Sequence, residues 1–184
     1  AGRRALIKGV VGWGVGMSVV PFRVSSQGEA ATIRPKQGDL LIRVGDSTMT
    51  PLTPDDIPAG VAQTMAWAME PGAKIVRDGS RLNRVLLIRL DAEKYSADTQ
   101  TRAASGVVAY TAICTHTGCE VTDWLADEQV LYCPCHFSKF DPKDGARVVD
   151  GPAPRTLPAL PLKVIDGNLV VAGAFTARVG FEPA

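Results

Sequence analysis

The chain is 184 residues long, 46% hydrophobic and 21% charged, with a formal net charge of +1. That length and composition suit one sizeable globular domain with an appendage. The near-neutral balance, without a basic stripe or a block of like charge, points away from nucleic acid as a partner.

In chain order, Arg3-Arg4-Ala5-Leu6-Ile7-Lys8 opens an uncharged, largely apolar run over 9–22. Paired arginines, two apolar residues, a lysine and a modest apolar stretch resemble a twin-arginine export signal. About 14 residues at ~1.5 Å each span roughly 21 Å, short of the ~30 Å hydrocarbon core. Lys8 and Arg23 stand at the two ends, where long basic side chains snorkel. A cleaved signal and a retained anchor both fit; the expectation is a retained signal anchor over 1–22, with residues 5–22 in the membrane. The positive-inside bias then puts everything after it on the periplasmic side of the cytoplasmic membrane. Gly12 and Gly16 form a small-xxx-small pair that would let a partner helix approach closely.

Residues 23–37 are polar and without periodicity, and read as a linker to a domain over 38–184. Residues 38–44 (GDLLIRV) predict a strand ended by Gly45-Asp46. Thr53-Pro54-Asp55-Asp56 is a helix start that Pro58 and Gly60 cut to about a turn. Residues 61–69 fit helix or strand, with Met65, Trp67 and Met69 sharing one face at period two. Residues 73–77 and 82–90, joined through Asp78-Gly79, predict an apolar hairpin. Residues 91–105 read as a loop or short helix forming a polar surface insertion. Residues 106–113 (GVVAYTAI) predict a buried strand leading into Cys114. Asp166-Gly167, between two apolar runs, predicts a hairpin turn. Residues 175–184 carry no motif and are expected to pack on a partner or fray.

The four cysteines and both histidines all lie between Cys114 and His136. Scattered core cysteines would not crowd so, and the window argues for a metal site. Its first loop is Cys114-Thr115-His116-Thr117-Gly118-Cys119 and its second Cys133-Pro134-Cys135-His136-Phe137-Ser138. The stretch Gly151-Pro152-Ala153-Pro154 follows. Structural zinc on two Cys and two His is the bland alternative, but this spacing is poor for a zinc finger and leaves two cysteines over. A Cys–His nucleophile lacks an orienting third group.

These three elements, in this order, resemble the Rieske family, over residues ~106–172. They look most like its high-potential branch, found in quinol:cytochrome c oxidoreductases and in the arsenite oxidase small subunit. The resemblance implies an all-β fold of stacked antiparallel sheets, with a cluster-binding subdomain at about 112–154. It implies one [2Fe–2S] cluster, with Cys114 and Cys133 on one iron and His116 and His136 on the other. It further implies a Cys119–Cys135 disulfide, which accords with an exported protein. Electron transfer within a membrane respiratory complex would follow, the partners being cytochrome b and c or a molybdopterin subunit, with quinol as a possible donor. The chain would be an electron-transfer subunit and not a catalyst alone.

In such an oxidised cluster two ferric ions are balanced by two sulfides and two thiolates, and neutral imidazoles add nothing. An uncharged cluster accepts an electron more readily than the dianion made with four thiolates, so its potential is higher. Ser138 matches a hydroxyl donor of the respiratory branch, while Phe140 stands where that branch carries a Tyr. Thr117 and Phe137 replace the Leu and Gly of quinol-oxidising complexes, and the two phenylalanines are similar to arsenite oxidase. Gly151-Pro152-Ala153-Pro154 is similar to the proline loop of the quinol complexes.

Overall fold

The computed structural model describes residues 26–181. The expected twin-arginine signal and anchor lie outside them, and among the described residues no helix is long and apolar enough to cross a membrane.

The described chain is almost all β. Strands β1 (Leu40–Arg43), β2 (Thr64–Glu70), β3 (Ile75–Val76), β4 (Val85–Arg89), β5 (Val107–Thr111), β10 (Leu162–Ile165) and β11 (Asn168–Val171) form one antiparallel sheet. Its order is β10-β11-β1-β2-β4-β5, with β3 also on β2. A second, four-stranded antiparallel sheet runs β6 (Asp123–Leu125), β7 (Val130–Cys133), β8 (Ser138–Asp141), β9 (Arg147–Asp150). Two short helices, α1 (Ser26–Thr32) and α2 (Ala97–Gln100), flank the strands.

β4 and β5 are buried on both faces, which is why they read as unbroken apolar runs. Val85, Leu87, Val107 and Ala109 face one core with Leu41, Ile57 and Leu169. Leu86, Ile88, Val108 and Tyr110 face the other, against Leu131 and Phe140 of the small sheet. The second core thus seats the small sheet on the large one. Tyr110 adds a hydrogen bond, donating to the Pro142 carbonyl at 2.8 Å.

Several local readings hold. Asp166 and Gly167 both have positive φ, at 50° and 80°, between β10 and β11, as a two-residue hairpin turn requires. Thr53 starts one 3-10 turn, Pro54–Asp56, with the Asp56 carboxylate accepting from the Thr53 amide at 2.8 Å. The ambiguous 61–69 segment supplies most of the strand β2; Thr64, Ala66 and Ala68 are buried on one face, while on the other Met69 is buried and Met65 packs against the inter-sheet core. Trp67, half-buried, instead lies under the Arg84 guanidinium at 4.8 Å.

Other segments differ from expectation. The hairpin predicted through Asp78-Gly79 does not form, because β3 folds back on β2, Met69 opposite Val76. Gly79 instead lies against α1, where a Cβ would meet the Ala31 carbonyl carbon at 2.9 Å. The polar 91–105 insertion carries α2, a short helix as expected, but it is not all surface, since Tyr95 is buried within it. Its hydroxyl donates to Gly106 O at 2.8 Å and accepts from the Leu90 amide. Part of the predicted 23–37 linker is the helix α1. The seven residues of α1 are too few to be stable alone, and tertiary bonds hold them. Fully buried Asn83 donates to the carbonyls of Ile33 (2.8 Å), Thr32 (3.3 Å) and Ala31 (3.4 Å). Asn83→Ala is therefore expected to destabilise the fold by about 1–3 kcal/mol. Hydrogen exchange should speed up first in α1, and unchanged exchange there would contradict this capping role.

Candidate metal centre

Both Cys/His loops hang from strand ends. The first follows β5, whose burial fixes its starting point. The Cys114 amide donates to Cys119 O at 2.8 Å and the Gly118 amide to Cys114 O at 3.2 Å, so the loop is a closed turn. Arg81 donates to Gly118 O at 2.6 Å, and Arg84 Nη1 donates to both carboxylate oxygens of Glu120 at 2.8 and 2.9 Å. The second loop is the tip between β7 and β8, closed by the Phe137 amide donating to Cys133 O at 3.0 Å. Phe137 takes φ 67°, a left-handed conformation that glycine adopts without strain and a side chain does not.

The two loops are tied by a disulfide between Cys119 and Cys135. The segment 151–154 closes over both. Gly151, at φ 85°, approaches so closely that a Cβ there would stand 2.5 Å from Ser138 Cα. The Ala153 amide donates to Ser138 Oγ at 3.1 Å, and Thr115 Oγ1 donates to Arg155 O at 2.6 Å. Pro152 and Pro154 are exposed.

The candidate ligands come together as two like pairs. Cys114 and Cys133 are each 1% exposed, belong to the core between the sheets, and touch one another. Burial pushes the Cys114 thiol up to about 11; the His116 backbone hydrogen bond opposes it most, the neighbouring Cys133 raises it further, and Ser138 lowers it least. The rings of His116 and His136 stand edge to face, 4.6 Å between centroids. His116 is half-buried, with a buried Nδ1 that has no hydrogen-bond partner, while His136 is exposed at the tip beside Phe137, itself 65% exposed.

An orphaned ring nitrogen in a protein interior is costly unless it binds something. A buried thiol pair and an imidazole pair carried on the same two loops are a soft donor set that suits iron–sulfur chemistry. Among the described residues no three His, Cys, Asp or Glu side chains converge on one ion. A tetrahedral zinc would need four donors at ~2.0–2.3 Å from one point, whereas two paired sets suit two irons. The residues fit a [2Fe–2S] cluster.

Ser138 is fully buried beside Cys114. Phe140 is also fully buried and packs in the inter-sheet core, without a hydroxyl to offer. Trp124 lies on β6 against that core, with its indole nitrogen buried and unpartnered. The sequence reading missed Thr115, Arg81 and Arg84, which hold the loops; nothing local marks them, since their partners lie 36–40 residues away.

An antiparallel β domain that presents a buried thiol pair and an imidazole pair on two disulfide-linked loops defines a metalloprotein. Comparison with known proteins narrows the class. The Rieske [2Fe-2S] domain family matches residues 84–161. The cytochrome bc1 complex Rieske iron-sulfur subunit of Streptomyces lividans is 35% identical over 151 residues, 78% of this chain and 85% of that protein. A protein of Haloferax mediterranei named as a respiratory nitrate reductase Rieske subunit is 43% identical over 106 residues, 56% of this chain. The chain spans 47% of that relative's length. A solved cyanobacterial plasma membrane Rieske protein from Synechocystis is 25% identical, with a TM-score of 0.38, covering 60% of this chain and 85% of that one. The chain belongs to the Rieske [2Fe–2S] family.

Proposed function

We propose that Cys114 and Cys133 hold one iron, and His116 and His136 the other, of a single [2Fe–2S] cluster, and that the chain passes single electrons within a membrane-associated respiratory oxidoreductase. One observation carries this reading: the donors divide into a buried thiol pair and an edge-to-face imidazole pair, with His116 Nδ1 buried and unpartnered.

When bound, the cluster supplies reversible one-electron chemistry at a potential raised by its neutral charge. The residues of the chain set its surroundings. Cys114 and Cys133, sunk in the inter-sheet core, exclude water from the thiolate side. His136, exposed at the tip, keeps the outer edge of its ring in solvent, where it can exchange a proton or hydrogen-bond to a redox partner. Ser138 Oγ already accepts from the Ala153 amide, so its hydrogen is available to Cys114 Sγ. Donation to sulfur stabilises the reduced, more negative state. Ser138→Ala is therefore expected to lower the midpoint potential. With Phe140 in place of a hydroxyl donor, the parent potential should lie below that of quinol:cytochrome c oxidoreductases. A potentiometric titration at or above theirs would contradict this.

The complex is of the quinol:cytochrome c type in this reading, supported by Gly151-Pro152-Ala153-Pro154 and by relatives named as cytochrome bc1 subunits. Residues 5–22 would anchor the chain in the cytoplasmic membrane with the domain on the periplasmic side. The second reading, the electron-transfer subunit of an arsenite oxidase-like molybdenum enzyme, is favoured by Phe137 and Phe140. Purification of the native assembly separates them: b-type haems and quinol oxidation support the first, a molybdopterin subunit the second. A non-redox zinc module is disfavoured by the two-pair arrangement of donors.

A further inference from the structure

Behind the first Cys/His loop lies a cleft of about 310 Å³, built from three distant parts of the chain. Arg34 comes from the segment after α1, Arg81 from the 3-10 turn Arg81–Asn83, and Arg178 from the C-terminal segment. Leu82, Val179 and Phe181 provide its apolar wall. No carboxylate lines the cleft or the adjoining hollow that shares Arg34 and Arg178.

The three guanidiniums are unbalanced. Arg34 bonds to the neutral Asn83 amide oxygen at 3.2 Å and Arg81 to the Gly118 carbonyl at 2.6 Å. Among the described residues none of the three forms an ion pair. Most other arginines of the domain, including Arg77, Arg84, Arg89, Arg102 and Arg147, do. Burial lowers the affinity of Arg34 for its proton, with no neighbouring charge offsetting the effect. Permanently charged groups gathered around one hollow repel each other. That arrangement is relieved by an anion with several oxygens, and a phosphate group accepts bidentate bonds from more than one guanidinium.

We propose that Arg34, Arg81 and Arg178 form a binding site for a phosphate group, either free or carried by the headgroup of an anionic lipid. Because Arg81 also holds the Gly118 carbonyl, an occupant would bear directly on the first Cys/His loop. The site does not depend on which oxidoreductase the chain serves.

The test is calorimetric titration of the purified full chain with inorganic phosphate, at an ionic strength held constant with chloride. Saturable binding of one phosphate per chain is expected. Arg178→Gln should weaken it about tenfold or more, the loss of one charge-assisted contact. Arg178 is exposed, so this variant should fold, and it decides the matter alone if Arg34→Gln does not. A second arm uses soluble dihexanoyl phosphatidic acid: tighter binding than inorganic phosphate assigns the site to a lipid headgroup, equal or weaker binding to free phosphate. No saturable phosphate binding, or equal affinity in Arg178→Gln, overturns the proposal.

Discussion

Gly151→Ala is expected to lose most of its iron and roughly 2–6 kcal/mol of stability. Two costs combine. At φ 85° an alanine is strained, and its Cβ would lie 2.5 Å from Ser138 Cα, 2.8 Å from Ser138 N and 2.9 Å from Phe137 O. All three are backbone atoms, so no side-chain rotation relieves the overlap. The proline segment must lift from the second loop, breaking the bond from the Ala153 amide to Ser138 Oγ. Gly145→Ala is the control: its φ of 58° is also left-handed, yet nothing lies within 4 Å of its Cβ position. It should cost about 1 kcal/mol, the conformational term alone. Iron content and thermal melts of the two variants check this. Equal behaviour would show that the close approach at Gly151 does not matter.

Replacing both disulfide cysteines, Cys119→Ser with Cys135→Ser, is expected to cost roughly 3 kcal/mol and to make the metal centre labile. The crosslink spans 16 residues and joins the closing end of the first loop to the second. Without it the loops are joined through Thr115, Ser138 and the 151–155 segment. The ligand pairs would then separate more easily, because each pair takes one member from each loop. The check is the half-life of the visible chromophore under a chelator, compared with the parent. An unchanged half-life would mean that the proline segment alone holds the loops together.

The site was more legible in the sequence than the fold around it. Coordination chemistry restricts both residue type and spacing, so Cys114, His116, Cys133 and His136 stand out in a chain with no other histidine. Turns governed by their own residues, such as Asp166-Gly167, were legible for the same local reason. What escaped depends on partners far along the chain. The helix α1 exists through Asn83, about 50 residues on. The choice of β3 to pair with β2 is tertiary, since its two residues suit either neighbour. The buried pair of Arg77 with Asp39 joins residues 38 apart, and neither alone marks an interior position. The left-handed Phe137 ran against propensity, and its strain sits next to a proposed ligand, where local rules are most often broken.

The central claim is that two thiolates and two imidazoles share a pair of irons. It is tested most directly by quantifying iron and acid-labile sulfide in the as-isolated protein and recording low-temperature EPR after reduction. The account predicts iron and sulfide in equal amounts, two of each per chain, and a mixed-valence signal that vanishes in Cys114→Ser. A colourless protein holding zinc and no sulfide would contradict it.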